Sequence, residues 1–251
     1  MIGLLDHMFR WSRSGAASFC QSKEVVLGQH FTLVASDSFK LGAYRADPSG
    51  TAKGGVVVIQ EIFGVNHHIR AVCDRLAAEG YAAVAPAIFD RQQPNFETGY
   101  SPDEIADARK FVANPDWAAM MKDVQAAIDD AKKSGPAAII GFCLGGSIAF
   151  LAAARLNGLS AAIGCYGGQI VKNADEKPKV PTQLHFGEKD ASIPMSDIDT
   201  IKQKRGADCE IYVYPGAQHG FNCDERGSYD AASAKLAWQR STAFLDKNLK
   251  R

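Results

Sequence analysis

The chain lacks four things, and each lack removes a class of function. It has no net charge, because 28 Lys and Arg balance 28 Asp and Glu. A phosphate backbone rewards a basic surplus, so nucleic acid is not an expected partner. It has no uncharged apolar run near the roughly 20 residues that a spanning helix needs, so no membrane partner is expected. Its six cysteines, at positions 20, 73, 143, 165, 209 and 223, include no C-x-x-C pair, which argues against a thioredoxin-type redox site and a zinc ribbon. It has no internal repeat and no low-complexity tract. What remains is 251 residues, 46% hydrophobic and 22% charged, the proportions of an ordinary soluble domain. A chain of this size folds without disulfide staples, and scattered cysteines point to a reducing, cytoplasmic setting.

The first twenty residues carry Arg10 and Arg13 with only Asp6 acidic. A secretory signal needs an unbroken apolar stretch, and His7, Arg10 and Arg13 interrupt this one. An amphipathic targeting segment is one reading; residues 1–29 are taken as a loose N-terminal extension ahead of a single domain over 30–251.

Along that domain the pattern alternates. Residues 31–36 and 39–46 read as a hairpin around Asp37-Ser38. Gly-Val-Val-Val-Ile at 55–59 is a β-branched run suited to a strand buried on both faces. Asn66 caps a helix that Gly80 stops, and 81–85 is the next strand, ended by Pro86. Ser101-Pro102-Asp103-Glu104 is a capping box opening a helix to about 112, and a second helix covers 116–133. Strands at 137–140, 161–165, 182–186 and 210–214 interleave with helices at 144–156, from 196, and at 230–249. Such alternation means a mostly parallel central sheet with helices on both faces. Its sites gather in loops past the strand carboxyl ends.

Three of those loops carry chemistry. Gly141-Phe142-Cys143-Leu144-Gly145-Gly146 has the nucleophile-elbow pattern with Cys in place of Ser. A helix N-terminus there favours a thiolate and offers the Leu144 amide to an oxyanion; the plainer alternative is a buried cysteine in a glycine-rich turn. His219, in Gly216-Ala217-Gln218-His219-Gly220-Phe221, follows the last strand and is the candidate base. His7, His30, His67, His68 and His185 are read as structural. Asp190, in Gly187-Glu188-Lys189-Asp190, is the candidate orienting acid, with Glu188 or Asp197 as substitutes. The order Cys143, Asp190, His219 is that of α/β-hydrolases. A fourth loop, Gln60-Glu61-Ile62-Phe63-Gly64, lies where that fold supplies its second oxyanion amide, here Ile62. Glu61 either faces the nucleophile or merely complements a helix dipole.

These residues resemble the dienelactone hydrolases, or carboxymethylenebutenolidases, over about residues 30–249. The resemblance rests on Gln60 to Gly64 with Asn66, on Ala85-Pro86 followed by Arg91, and on the Cys143 elbow. It rests further on Gly164-Cys165-Tyr166-Gly167, Gly187-Glu188-Lys189-Asp190 and His219-Gly220-Phe221. It implies an α/β-hydrolase fold and a Cys-His-Asp triad with no metal or organic cofactor. The implied activity is opening of lactones of the dienelactone-to-maleylacetate type, or cleavage of small esters, by a monomer. It also implies that Glu61 activates the thiol, pairing with Arg91 until a carboxylate-bearing substrate competes for that arginine. Tyr166 is expected against the substrate. The family's second carboxylate-binding arginine falls at position 223, which is Cys here, and Arg226 is the nearest arginine.

Two other readings of the enzyme class stay open: a general carboxylesterase with an unrelated natural ester, and a non-catalytic ligand-binding protein on the same fold. A metal site from Cys209, His219 and Cys223 lacks a fourth ligand and paired spacing.

Overall fold

The β-branched run at 55–59 sets the architecture. In the computed structural model, which describes residues 28–250, all five of its residues are buried. A strand without a polar face must be covered on both sides, so helices have to pack above and below it. The elements in chain order are β1 (Gln29–Val34), β2 (Lys40–Ala46), β3 (Gly55–Ile59), α1 (His67–Ala78), β4 (Ala82–Pro86), α2 (Pro102–Lys110) and α3 (Trp117–Ala131). They continue with β5 (Ala137–Phe142), α4 (Leu144–Arg155), β6 (Leu159–Cys165), β7 (Thr182–Gly187), α5 (Met195–Arg205), β8 (Cys209–Tyr214) and α6 (Ala231–Asn248). The expected extension lies outside the described residues except for Gly28 and Gln29, the latter already in β1.

The eight strands order as β1-β2-β4-β3-β5-β6-β7-β8. The β1–β2 and β2–β4 pairs are antiparallel and all the others parallel. This is the mostly parallel sheet expected from the alternating pattern, and it is the α/β-hydrolase arrangement that the order of Cys143, Asp190 and His219 and the family resemblance implied. From β3 the chain first builds outward to β4, then returns to place β5 on the other side, so order reverses between β3 and β5. A crevice opens at the carboxyl ends of strands where order reverses. Here those ends are Ile59 and Phe142, followed at once by Gln60-Glu61 and by Cys143.

Side-chain caps fix the helix starts. Asn66, Ser101, Asp116 and Asp230 each accept a hydrogen bond from a backbone N–H in the first turn, and Ser101 and Glu104 complete the capping box. α2 ends at Lys110 rather than at 112, because Phe111 turns into a cluster with Phe89 and Phe96, ring centroids 5.1 and 4.0 Å away. α1 and α6 meet on one side of the sheet, where Arg75 lies 4.8 Å from the Trp238 ring, and α3 and α4 pack together on the other. No described helix is long and apolar enough to cross a membrane.

Candidate active site

β5 ends at Phe142 and α4 begins at Leu144, so Cys143 is the one residue between strand and helix. Its backbone sits at φ 55° and ψ −113°, a left-handed setting that costs a side-chain-bearing residue about 1–3 kcal/mol. Neighbours hold it there. Its N–H donates to the Cys165 carbonyl at 3.0 Å, and its own carbonyl accepts from Gly146 and Ser147. The glycines of the motif answer to space. A Cβ on Gly141 would stand 1.9 Å from the Gly145 carbonyl oxygen, and one on Gly145 2.4 Å from that of Ile59. Gly145 N–H then donates to the Gln60 carbonyl at 3.1 Å. That bond sets the start of α4 beside the loop after β3, and so brings the Leu144 and Ile62 segments together. Neither the Leu144 nor the Ile62 amide donates to a described residue.

Asp190 stands three residues past the end of β7, and His219 five past the end of β8. The parallel β7–β8 register, Gly187 beside Tyr214, delivers the two loops to each other. Asp190 Oδ2 lies 2.7 Å from His219 Nδ1, and Oδ1 accepts the Ser192 N–H at 2.8 Å. The Asp190 carboxylate is fully buried, so its position is over-determined. Glu188 is occupied elsewhere, accepting the Gly216 N–H at 2.9 Å. Burial works against charge on the His219 ring, but the charge of Cys143 and hydrogen bonds with Asp190 and Cys143 outweigh it, raising its pKa to about 10. Tyr166 flanks the pair. It is wholly buried with φ 40°, its ring edge-on to His219 at 5.1 Å, and its hydroxyl has no described partner.

Glu61 is 1% exposed. Its Oε1 accepts from Arg226 Nη1 at 2.8 Å, while Oε2 is buried without a described partner. The Arg226 guanidinium rests 5.5 Å from the Phe63 ring and 5.7 Å from that of Tyr100. Burial alone would lower its proton affinity, and Glu61, together with the nearby Tyr166, Cys143 and Cys223, more than restores it. The expected pairing of Glu61 with Arg91 is therefore corrected. Arg91 turns the other way, donating to both carboxylate oxygens of Asp123 at 2.8 Å and to Asp37 at 2.9 Å, with its guanidinium over Phe39. The physical reason lies on α3, where Asp123 sits among Met120, Val124 and Ala127 on the buried face. A carboxylate there has to be paired. That acid on an apolar helix face was the sequence signal for Arg91's partner.

Sequence reasoning missed Tyr100, whose hydroxyl receives the Asn66 amide at 3.0 Å and the Cys223 thiol at 3.3 Å. Cys223 thus occupies, with Tyr100, the place held for a second arginine. Of the five described cysteines only Cys143 is not buried, and none is in a disulfide. Burial pushes Cys223 up to about 11 and Cys209 to about 12, and pushes Cys73 and Cys165 well up. His185 is a core residue bonded to Tyr214 and Gln183, and burial lowers it to about 3. His68, also buried, has its proton affinity lowered by burial despite the nearby Glu61. Among the described residues no group of three or more His, Cys, Asp or Glu side chains could hold a metal, so Cys209, His219 and Cys223 do not converge as one.

Known proteins resemble this chain in sequence and fold. The model of the dienelactone hydrolase family matches residues 41–249. A provisionally named carboxymethylenebutenolidase of Synechocystis is 40% identical over 236 residues, covering 86% of this chain and 96% of its own. The carboxymethylenebutenolidase of Pseudomonas putida is 32% identical over 231 residues, 88% of this chain and 97% of its own. The solved structure of a provisionally named dienelactone hydrolase from Klebsiella pneumoniae superposes with a TM-score of 0.75 at 35% identity, covering 86% of this chain and 97% of that one. On sequence and fold together, the chain is a hydrolase that belongs to the dienelactone hydrolase family.

Proposed function

We propose that the protein hydrolyses lactones or small esters through an acyl-enzyme on Cys143, with His219 as acid and base and Asp190 as its orienting partner. The observation that carries this reading is the Asp190–His219 contact at 2.7 Å, set beside a half-exposed cysteine on a strained strand-to-helix turn. With Nδ1 committed to Asp190, the ring meets the thiol through Nε2. The thiol proton passes to Nε2 as the Cys143 sulfur attacks the carbonyl carbon, and the carbonyl electron pair moves onto oxygen, toward the Leu144 and Ile62 amides. When that oxyanion collapses, the C–O bond breaks and the imidazolium gives its proton to the departing alkoxide. In a lactone the alkoxide stays attached and the ring opens. Neutral His219 then takes a proton from water, the hydroxide displaces the thiolate, and a carboxylate leaves.

The Glu61–Arg226 pair gives the site a preference. A substrate carboxylate that reaches Arg226 displaces Glu61, and Glu61, with one oxygen already unpartnered, becomes the first acceptor for the thiol proton, which it passes on to His219 Nε2. Binding of the anion is thereby spent on activating the nucleophile. Substrates of dienelactone type carry such a carboxylate. A second reading has one observation in its favour: Arg226 is held by Glu61 and Arg91 by two aspartates. If the first pair stays closed, the enzyme is a general carboxylesterase for neutral esters.

The test is to quench turnover of a nitrophenyl ester in acid and read the protein by mass spectrometry. A mass gain of one acyl group, mapped to the Cys143 peptide and absent in Cys143→Ala, is the expected result. Full turnover by Cys143→Ala removes the proposal.

A further inference from the structure

Behind the elbow, on the face of the sheet away from α3 and α4, a cavity of about 220 Å³ opens between α1 and α6. Its walls combine two kinds of group. Phe142 and Trp238 are apolar; Arg75, Lys235 and Asn222 are polar; and the exposed Tyr229 stands at the same cavity. No Asp or Glu lines it. Arg75 and Lys235 form no ion pair with a described residue. Arg75 instead lies over the Trp238 ring. The nearest acid in the chain leading into α6 is Asp230, and it is spent on the Ser233 amide as that helix's cap. A cleft with two uncommitted cations, an aromatic wall and no acid is an anion site with an apolar body.

We propose that this cavity is a second small-molecule site, which takes a single-ring or short branched carboxylate. The carboxylate meets Arg75 and Lys235, and the apolar part lies against Trp238 and Phe142. The size excludes larger ligands, since the volume falls below the ~300–1,000 Å³ of drug-sized pockets. Ester and lactone hydrolysis releases carboxylates, so the enzyme makes the chemical class that this cleft accepts. The site also adjoins the catalytic parts from behind. Phe142 directly precedes Cys143, Asn222 is three residues past His219, and Cys165, another lining residue, supplies the carbonyl that holds the Cys143 N–H. An occupant therefore presses on the elbow and on the histidine loop, and slows turnover without competing with the ester.

The experiment is calorimetric titration of the full chain with sodium benzoate, Cys143 first being alkylated with iodoacetamide so that the catalytic pocket is closed. Benzamide is the uncharged control. Benzoate should bind the alkylated protein roughly tenfold more tightly than benzamide. Lys235→Ala should weaken it about fivefold, as loss of a partly solvated ion pair does, and Ala234→Phe, which fills the cleft from its half-buried rim, should abolish it. Neither residue touches the catalytic groups, so Lys235→Ala, which leaves the cleft empty, should hydrolyse a neutral ester within about twofold of wild type, whereas Ala234→Phe, whose ring takes the occupant's place, should itself show the lowered kcat that benzoate causes. In the unblocked wild type, benzoate should lower kcat with KM unchanged. Benzoate that binds only before alkylation, that ignores both substitutions, or that inhibits purely by competition would assign it to the Cys143 pocket and overturn the proposal.

Discussion

Arg91 and Arg226 each pair with a carboxylate that is only 1% exposed, and the two pairs differ in what is left over. Arg91 meets Asp123 through two parallel hydrogen bonds, adds Asp37, and stacks on Phe39. Every oxygen of Asp123 is used. Arg226 meets Glu61 through one oxygen only, and the other is buried without a described partner. A saturated pair of the first kind ties a loop to a helix and has nothing to exchange. An unsaturated pair beside the proposed nucleophile keeps an acceptor in reserve, in a setting where an unmet polar atom costs about 1–3 kcal/mol. That cost is a reason to look for a ligand at Arg226 and not at Arg91.

The largest expected effect is on stability, and it belongs to Arg91. Arg91→Ala leaves the Asp123 carboxylate, 1% exposed, without its counter-charge. Breaking a buried pair in this way should cost about 3 kcal/mol, a fall in Tm of roughly 6–12 °C for a chain of this length. Thermal melts check it. The double variant Arg91→Leu with Asp123→Leu should recover most of the loss. Burial raises the Asp123 carboxyl against the pull of Arg91, so the native pair starts from a desolvation debt. If Arg91→Ala melts like wild type, the contrast between the two pairs fails.

A smaller effect is expected from pH. His219 in the folded chain has its proton affinity raised from the ordinary 6.5 to about 10. A group raised in this way adds stability that is fully present below about pH 6.5 and is lost as pH climbs through about 10. Cys143 is the leading cause that raises it, so in Cys143→Ala the loss should come at lower pH. Proton NMR of the His219 ring in both proteins measures the shift directly. An unchanged titration would mean that Asp190 alone holds the proton. The smallest effect is expected at Cys223. Its thiol is buried, is pushed up to about 11 and donates to Tyr100, so Cys223→Ala should leave kcat/KM for a neutral ester within about threefold of wild type. A loss as large as that of Cys143→Ala would make it part of the nucleophile's machinery.

The same contrast explains what could be read in the sequence. The elbow was legible because hard contacts dictate it: with a Cβ at 141 or 145 the strand and helix cannot meet. The Asn66 and Ser101 caps were legible because capping is local chemistry, whereas Asp116 and Asp230 were read only as the first residues of their helices. Asp190 and His219 were found as single residues past adjacent strands. The partner of Arg91 was not, since a long side chain chooses among acids brought up by tertiary packing, here Asp123 on α3 and Asp37 in the β1–β2 turn. Arg226 was visible only as the nearest arginine to position 223. Tyr100 was missed because 34 residues separate it from Asn66 and more than a hundred from Cys223, and no local pattern joins them.

The claim that Arg226 and not Arg91 governs substrate choice is open to one direct measurement. The quantity is the ratio of kcat/KM for a carboxylate-bearing ester to that for a neutral ester of matched size. It is taken in wild type, Arg226→Met and Arg91→Met at a temperature where all three are folded. A charge-assisted hydrogen bond contributes about 1.5–3 kcal/mol, so Arg226→Met should lower the ratio by roughly 10–100-fold while Arg91→Met leaves it where it was. A ratio that falls in Arg91→Met and holds in Arg226→Met would contradict the account.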